Sequence, residues 1–133
     1  MTRNYRLRIG SLILSLAAIG LLPASWFIAE GASLSDRTGR HLVAGALANL
    51  SVAVLMTLIA LVAIRRGERW GIWAYCCPII AYGVPVLVID ATHVAAGNLL
   101  LTVGPQLIGL LLAATGFAIV GPPILSPPRD AAG

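Results

Sequence analysis

Four apolar stretches, each long enough to cross a bilayer, occupy most of this chain: residues 9–29, 41–64, 70–89 and 99–120. A helix rises 1.5 Å per residue, so about 20 such residues cross the ~30 Å hydrocarbon core. The polar segments between them are too short to be domains. The pattern predicts an all-α membrane fold, a single domain over residues 1–133 in which four transmembrane helices form a bundle of antiparallel up-down hairpins. Composition points the same way: 59% of residues are hydrophobic and 11% charged, against about 25% charged in soluble domains. Mean hydropathy is +0.93.

All nine basic residues are Arg, and their distribution gives an orientation. Arg3, Arg6 and Arg8 precede the first span, Arg65, Arg66 and Arg69 fill the second loop, and Arg129 lies in the tail; only Arg37 and Arg40 fall on the other side. Positive charge accumulates on cytoplasmic segments, so both termini are expected in the cytoplasm, in a multi-pass protein of the cell membrane. The basic pI of 9.8 then reflects topology and contact with anionic lipid, and nucleic acid is not an expected partner. Trp70, Trp73 and Tyr75 at the inner end of span three, and Trp26 and Phe27 at the outer end of span one, read as interfacial aromatics.

A cleavable signal peptide is the rival reading of the N-terminus, given its basic start, its apolar core and the small-residue segment at Ala29 and Gly31. The apolar run of about 21 residues exceeds the usual 7–15, so an uncleaved span is expected. Cys76 and Cys77 are adjacent, point about 100° apart on a helix and read as buried small hydrophobes without a mutual disulfide. Small residues recur four apart at Ser11 and Ser15, Gly20 and Ala24, Ala44 and Ala48, and Gly109 and Ala113, a spacing that lets helices approach closely in lipid. The short second loop makes spans two and three an antiparallel neighbouring pair.

Polar residues are placed unevenly. Counted from the outer ends, Asn49, Tyr82 and Gln106 each lie 7 or 8 residues into their spans, roughly 10–12 Å below the outer surface. Polar groups at that depth are costly unless they face one another or water, so they are expected to converge on an outward-opening pocket. Pro23, Pro85 and Pro105 fall in the same outer half, where each removes an amide donor. Trp26 and Asn98 complete the candidate ligand-binding set. The inner half carries mostly Ser, Thr and Cys, which bond back to their own helices.

Above this layer lie Glu30, His41, Asp90 and His93, the candidate catalytic set. Asp90 and His93 are three apart and share a helix face if span three continues through them. Two carboxylates and two imidazoles suit acid-base chemistry, because apolar walls raise a carboxyl pKa. No recognised ligand spacing joins them, so neither a metal site nor a cofactor is assigned. The plainer roles are Asp36 or Thr38 capping span two, Asn98 capping span four, and Glu30 and Asp90 pairing with Arg37 and Arg40. The two hairpins also echo each other faintly, Asn49 matching Gln106 in order along the chain.

The segment Arg69, Trp70, Gly71, Ile72, Trp73, Ala74, followed by the stretch from Asp90 to Asn98, is similar to uncharacterised actinobacterial four-span proteins of bacterial membranes. In size and span number the chain also resembles DoxX-like proteins and the small multidrug-resistance exporters. The exporters use a Glu in the middle of span one, whereas the first acid here is Glu30 at its outer end. The resemblance implies a four-helix membrane bundle and no particular activity. Three functional expectations stand: a protein that binds a lipophilic small molecule or a partner subunit through an outer-leaflet polar pocket, an intramembrane acid-base enzyme of isomerase or cyclase type acting on a lipid or isoprenoid-like substrate, and a small proton-coupled transporter. The implied partners are membrane lipid, a lipophilic ligand, and a second copy of the chain or another membrane subunit.

Overall fold

The protein is described from a computed structural model over residues 2–20, 34–93 and 99–126, without the side chains of residues 90, 93 and 99–102. All regular structure among these residues is helical. Helix α1 is Arg3–Ile19. Helix α2 is Arg37–Ile59 continued by a π-helical turn, Ala60–Ile64. Helix α3 runs as Arg69–Pro78, a π-helical turn Ile79–Gly83, and Val84–His93. Helix α4 is Leu99–Leu125.

Three of the four are long and apolar enough to cross a membrane: Arg37–Ile64, Arg69–Ile89 and Val103–Leu125. The described part of α1 is 17 residues, and the rest of the expected first span lies outside the described residues. The side chains are sorted as lipid requires. Leu16, Leu47, Leu55, Ile80 and Leu111 are more than half exposed, while the core contains Ala17, Ala18, Ala53, Ala60, Ala63 and Ala113 with Ser11 and Ser15. A water-soluble bundle turns its large apolar residues inward. Here small residues line the helix contacts and large ones face out, as in helix association within a bilayer.

The helices form a ring in which α1 packs on α2 and most extensively on α4, and α3 packs on α2 and α4. Two glycines fix the α1–α4 crossing. A Cβ on Gly10 would lie 2.2 Å from Val120 Cγ1 and 3.2 Å from the Gly116 carbonyl oxygen, and one on Gly116 would lie 2.6 Å from Leu14 Cγ. Of the expected small-residue pairs, Ser11 with Ser15 is buried in the bundle, Gly109 and Ala113 face its interior, and Ala44 and Ala48 are exposed. Gly20 is exposed and Ala24 lies outside the described residues. The closest contact therefore falls on glycines that the four-residue spacing did not single out.

The α2–α3 hairpin closes as expected for neighbouring antiparallel helices. Gly67 adopts φ 78°, its N–H donates to the Ile64 carbonyl (2.9 Å) and Glu68 N–H to the Ala63 carbonyl (3.0 Å). These two bonds around a left-handed residue satisfy carbonyls that the end of α2 would otherwise leave open. Gly71 then lets α3 start directly against Ala63, where an added Cβ would lie 2.7 Å from the Ala63 methyl.

Helix limits differ from the apolar limits for local reasons. Asp36 caps α2 by accepting the Gly39 N–H, so the helix starts four residues before His41. Helix α4 runs past residue 120 through Pro122 and Pro123, which lose donors but keep a helical φ. Its last turn is held by Ser126 N–H to the Pro122 carbonyl (3.1 Å) and by Arg69 Nε donating to the Ile124 carbonyl (3.3 Å). That bond, with Arg3 and Leu7 lying against Gly67, gathers the start of α1, the 65–68 turn and the end of α4 at one arginine-rich end.

Candidate functional site

Asn49 of α2, Tyr82 of α3 and Gln106 of α4 line one cavity of about 170 Å³, closed on its fourth side by Ala17 and Gly20 of α1. The cavity is ordered along the bundle axis. Met56, Tyr75 and Ala113 also line it, each seven residues along the chain from Asn49, Tyr82 and Gln106 respectively. Seven helical residues rise about 10 Å. Three polar side chains thus stand two turns above an apolar floor, with Val52, Ile79 and Leu110 between.

Local sequence explains how each polar group reaches the cavity. Tyr82 lies in the π turn Ile79–Gly83, which sits between Pro78 and Pro85. Pro85 has no N–H to offer the Ala81 carbonyl, and the turn before it is widened. Such π turns re-aim side chains and occur often at functional sites. Pro78 and Pro105 line the cavity, whereas Pro85 is exposed and acts on the cavity only through the helix. Glycines at 83 and 109 keep the walls low.

The polar character of the cavity lies in Asn49, Tyr82 and Gln106. Asn49 is 7% exposed and, among the described residues, its amide has no hydrogen-bond partner. The amide opens onto the cavity, where a bound group can reach it. Asn49 is therefore not cementing helices through a cross-helix bond. The remaining hydroxyls of the bundle behave as expected of Ser and Thr: Ser15 Oγ donates to the Ser11 carbonyl (2.8 Å), and Thr57 and Thr115 donate to the Ala53 and Leu111 carbonyls (both 2.8 Å).

Tyr75 departs from expectation most sharply. Read as an interfacial aromatic beside Trp70 and Trp73, it is fully buried at 0% exposure, whereas the two tryptophans are exposed. Its hydroxyl donates across the ring of helices to the Leu14 carbonyl of α1, and its ring meets Phe117 of α4 edge-on at 5.5 Å. An interfacial position would have left the hydroxyl in water; here it finds a backbone acceptor within the core. Cys77 is also corrected: it is exposed, Cys76 is half-buried, and both are free thiols.

Of the rim candidates, His41 is the one whose side chain is among the described residues. His41 is exposed in the first turns of α2 and is not among the cavity-lining residues. Asp90 and His93 do lie on one continuous helix, Val84–His93, though their side chains are outside the described set. Glu30, Trp26, Asn98 and Pro23 lie outside the described residues. Arg40, expected to pair with an acid, donates to the Leu34 and Ser35 carbonyls (3.2 and 3.3 Å).

No protein-family model matches the chain, and neither a curated protein nor a solved structure matches it.

Proposed function

We propose that this is a multi-pass cell-membrane protein of four spans, with its arginine-rich end in the cytoplasm, whose cavity binds a lipophilic small molecule. The observation that carries this is the amide of Asn49, a largely buried residue, which has no hydrogen-bond partner among the described residues and stands with Tyr82 and Gln106 in the wall of a mostly apolar cavity. A polar group on a cavity wall that no protein group has engaged is free to fix the orientation of a ligand.

Cavity size sets the ligand class. Enclosing pockets for drug-sized molecules run to roughly 300–1,000 Å³, while an apolar cavity of about 150 Å³ takes one benzene ring. At about 170 Å³, the cavity suits a single ring or short branched head bearing one hydroxyl or carbonyl oxygen. Asn49 offers that oxygen a donor and an acceptor, and Tyr82 a hydroxyl. Any longer chain on the ligand lies along the apolar outer faces of the helices.

Binding is favoured over acid-base turnover because, among the described residues, the lining carries no carboxylate and no imidazole. It is favoured over transport because Leu7, Leu14, Ala63, Ile64, Val120 and Ile124 pack into a closed core toward the arginine-rich end.

Native mass spectrometry of the protein released gently from its own membrane tests the proposal. The wild type is expected to carry a lipophilic adduct that the Asn49→Leu, Tyr82→Phe, Gln106→Leu triple variant loses. A bare wild-type chain, or an adduct unaffected by the triple substitution, contradicts it.

A further inference from the structure

A second concavity lies at the opposite, arginine-rich end and owes nothing to the apolar cavity. Asn4 and Arg8 of α1 face Leu61, Arg65 and Arg66 of α2 across a groove of about 360 Å³. Its walls are built by register. Asn4 and Arg8 are four apart, as are Leu61 and Arg65, so each helix presents one residue toward its terminus and another about 6 Å nearer mid-bundle. The helices run antiparallel, which places Arg8 beside Leu61 in the deeper layer and Asn4 beside Arg65 and Arg66 in the upper one.

Three cations therefore share one groove without compensation. The guanidinium groups of Arg8, Arg65 and Arg66 have no hydrogen-bond or ion-pair partner among the described residues. The other arginines with described partners are differently employed, Arg69 on the end of α4 and Arg40 on the 34–35 carbonyls. Glu68 is the one described acid at this end, and its carboxylate accepts the Trp70 indole N–H. Three like charges lining one groove make it attractive to an anion. Guanidinium groups present planar forks that match the oxygens of a phosphate.

We propose that this groove holds the phosphodiester of an anionic lipid headgroup, with Arg8, Arg65 and Arg66 on its oxygens, Asn4 at the water side, and Leu61 against the first carbons of an acyl chain. A lipid is favoured over a soluble phosphate because Leu61 lines the groove and the exposed apolar residues Leu58 and Val62 flank it on α2. Lipid phosphate reaches such a site laterally from the membrane, and each Arg near an anionic surface adds roughly a fivefold gain in affinity.

The test is a titration of the purified full chain in detergent, read by native mass spectrometry, with dioleoyl phosphatidylglycerol, dioleoyl phosphatidylcholine and inorganic phosphate in parallel. The R8Q/R65Q variant is compared with R37Q/R40Q, which removes the same charge at the other end; all four residues are exposed. Phosphatidylglycerol is expected to bind the wild type at least about tenfold more tightly than phosphatidylcholine. That preference is expected to vanish in R8Q/R65Q and to survive in R37Q/R40Q. Equal binding of the two lipids, or an equal loss in both variants, overturns the proposal. So does inorganic phosphate binding that depends on Arg8 and Arg65 without any phosphatidylglycerol preference, which would assign the groove to a soluble anion.

Discussion

Asn49 and Tyr75 are buried polar residues two turns apart along the cavity, and their polar groups are treated in opposite ways. The Tyr75 hydroxyl is bonded to the Leu14 carbonyl, which serves structure, while the Asn49 amide is unpaired among the described residues. Replacing Asn49 with Leu should therefore leave the ligand-free protein at least as stable, with a gain of up to about 1 kcal/mol, seen as an unchanged or higher melting temperature in detergent, while ligand retention falls. Tyr75→Phe should cost only about 0.6–1.7 kcal/mol, the usual range for an interhelical bond in a membrane. Tyr75→Ala should cost about 3–5 kcal/mol through the lost ring and its Phe117 contact; equal melting temperatures for the two Tyr75 variants would contradict this. The polar layer was legible in the sequence because depth can be counted from helix ends. Tyr75 was hidden by its neighbours, since an aromatic after Trp70 and Trp73 reads as interfacial, although its seven-residue spacing from Tyr82 places both on one helix face.

At the scale of the helices, close approach depends on where a glycine meets another backbone. Gly10→Ala should destabilise by about 1–3 kcal/mol, because the new methyl meets Val120, whose branched side chain has little rotamer freedom. Gly45→Ala meets nothing within 4 Å and should leave stability unchanged or raise it by up to about 1 kcal/mol. Thermal melts of the two variants side by side check the contrast. Small residues spaced four apart announced close packing, yet they could not say which face turns inward: Ala44 and Ala48 are exposed while Gly10 and Gly116 touch. Partner identity is a tertiary fact absent from local spacing. Caps were easier, as Asp36 before α2 and Gly67 after it follow from chemistry that acts within a turn.

Over the whole molecule, apolar surface and charge asymmetry give the environment and the orientation. With Cys76 and Cys77 replaced by Ala, a thiol introduced by Leu34→Cys should react with a membrane-impermeant maleimide in intact cells. One introduced by Glu68→Cys should react only after permeabilisation; the reverse pattern would invert the proposed topology. The segments that decide the rim chemistry, around Glu30 and Asn98, lie outside the described residues, so the sequence and the fold meet most fully at the cavity. Photolabelling tests that cavity most directly: membranes containing the protein are irradiated with a diazirine-bearing alkyl phenol, and adducts are mapped by peptide mass spectrometry. Adducts concentrated on Val52, Met56, Ile79 and Leu110, and lost in Asn49→Leu, are the predicted result. Adducts spread over the outward-facing Leu55, Leu58 and Leu111, and insensitive to Asn49, would contradict the account.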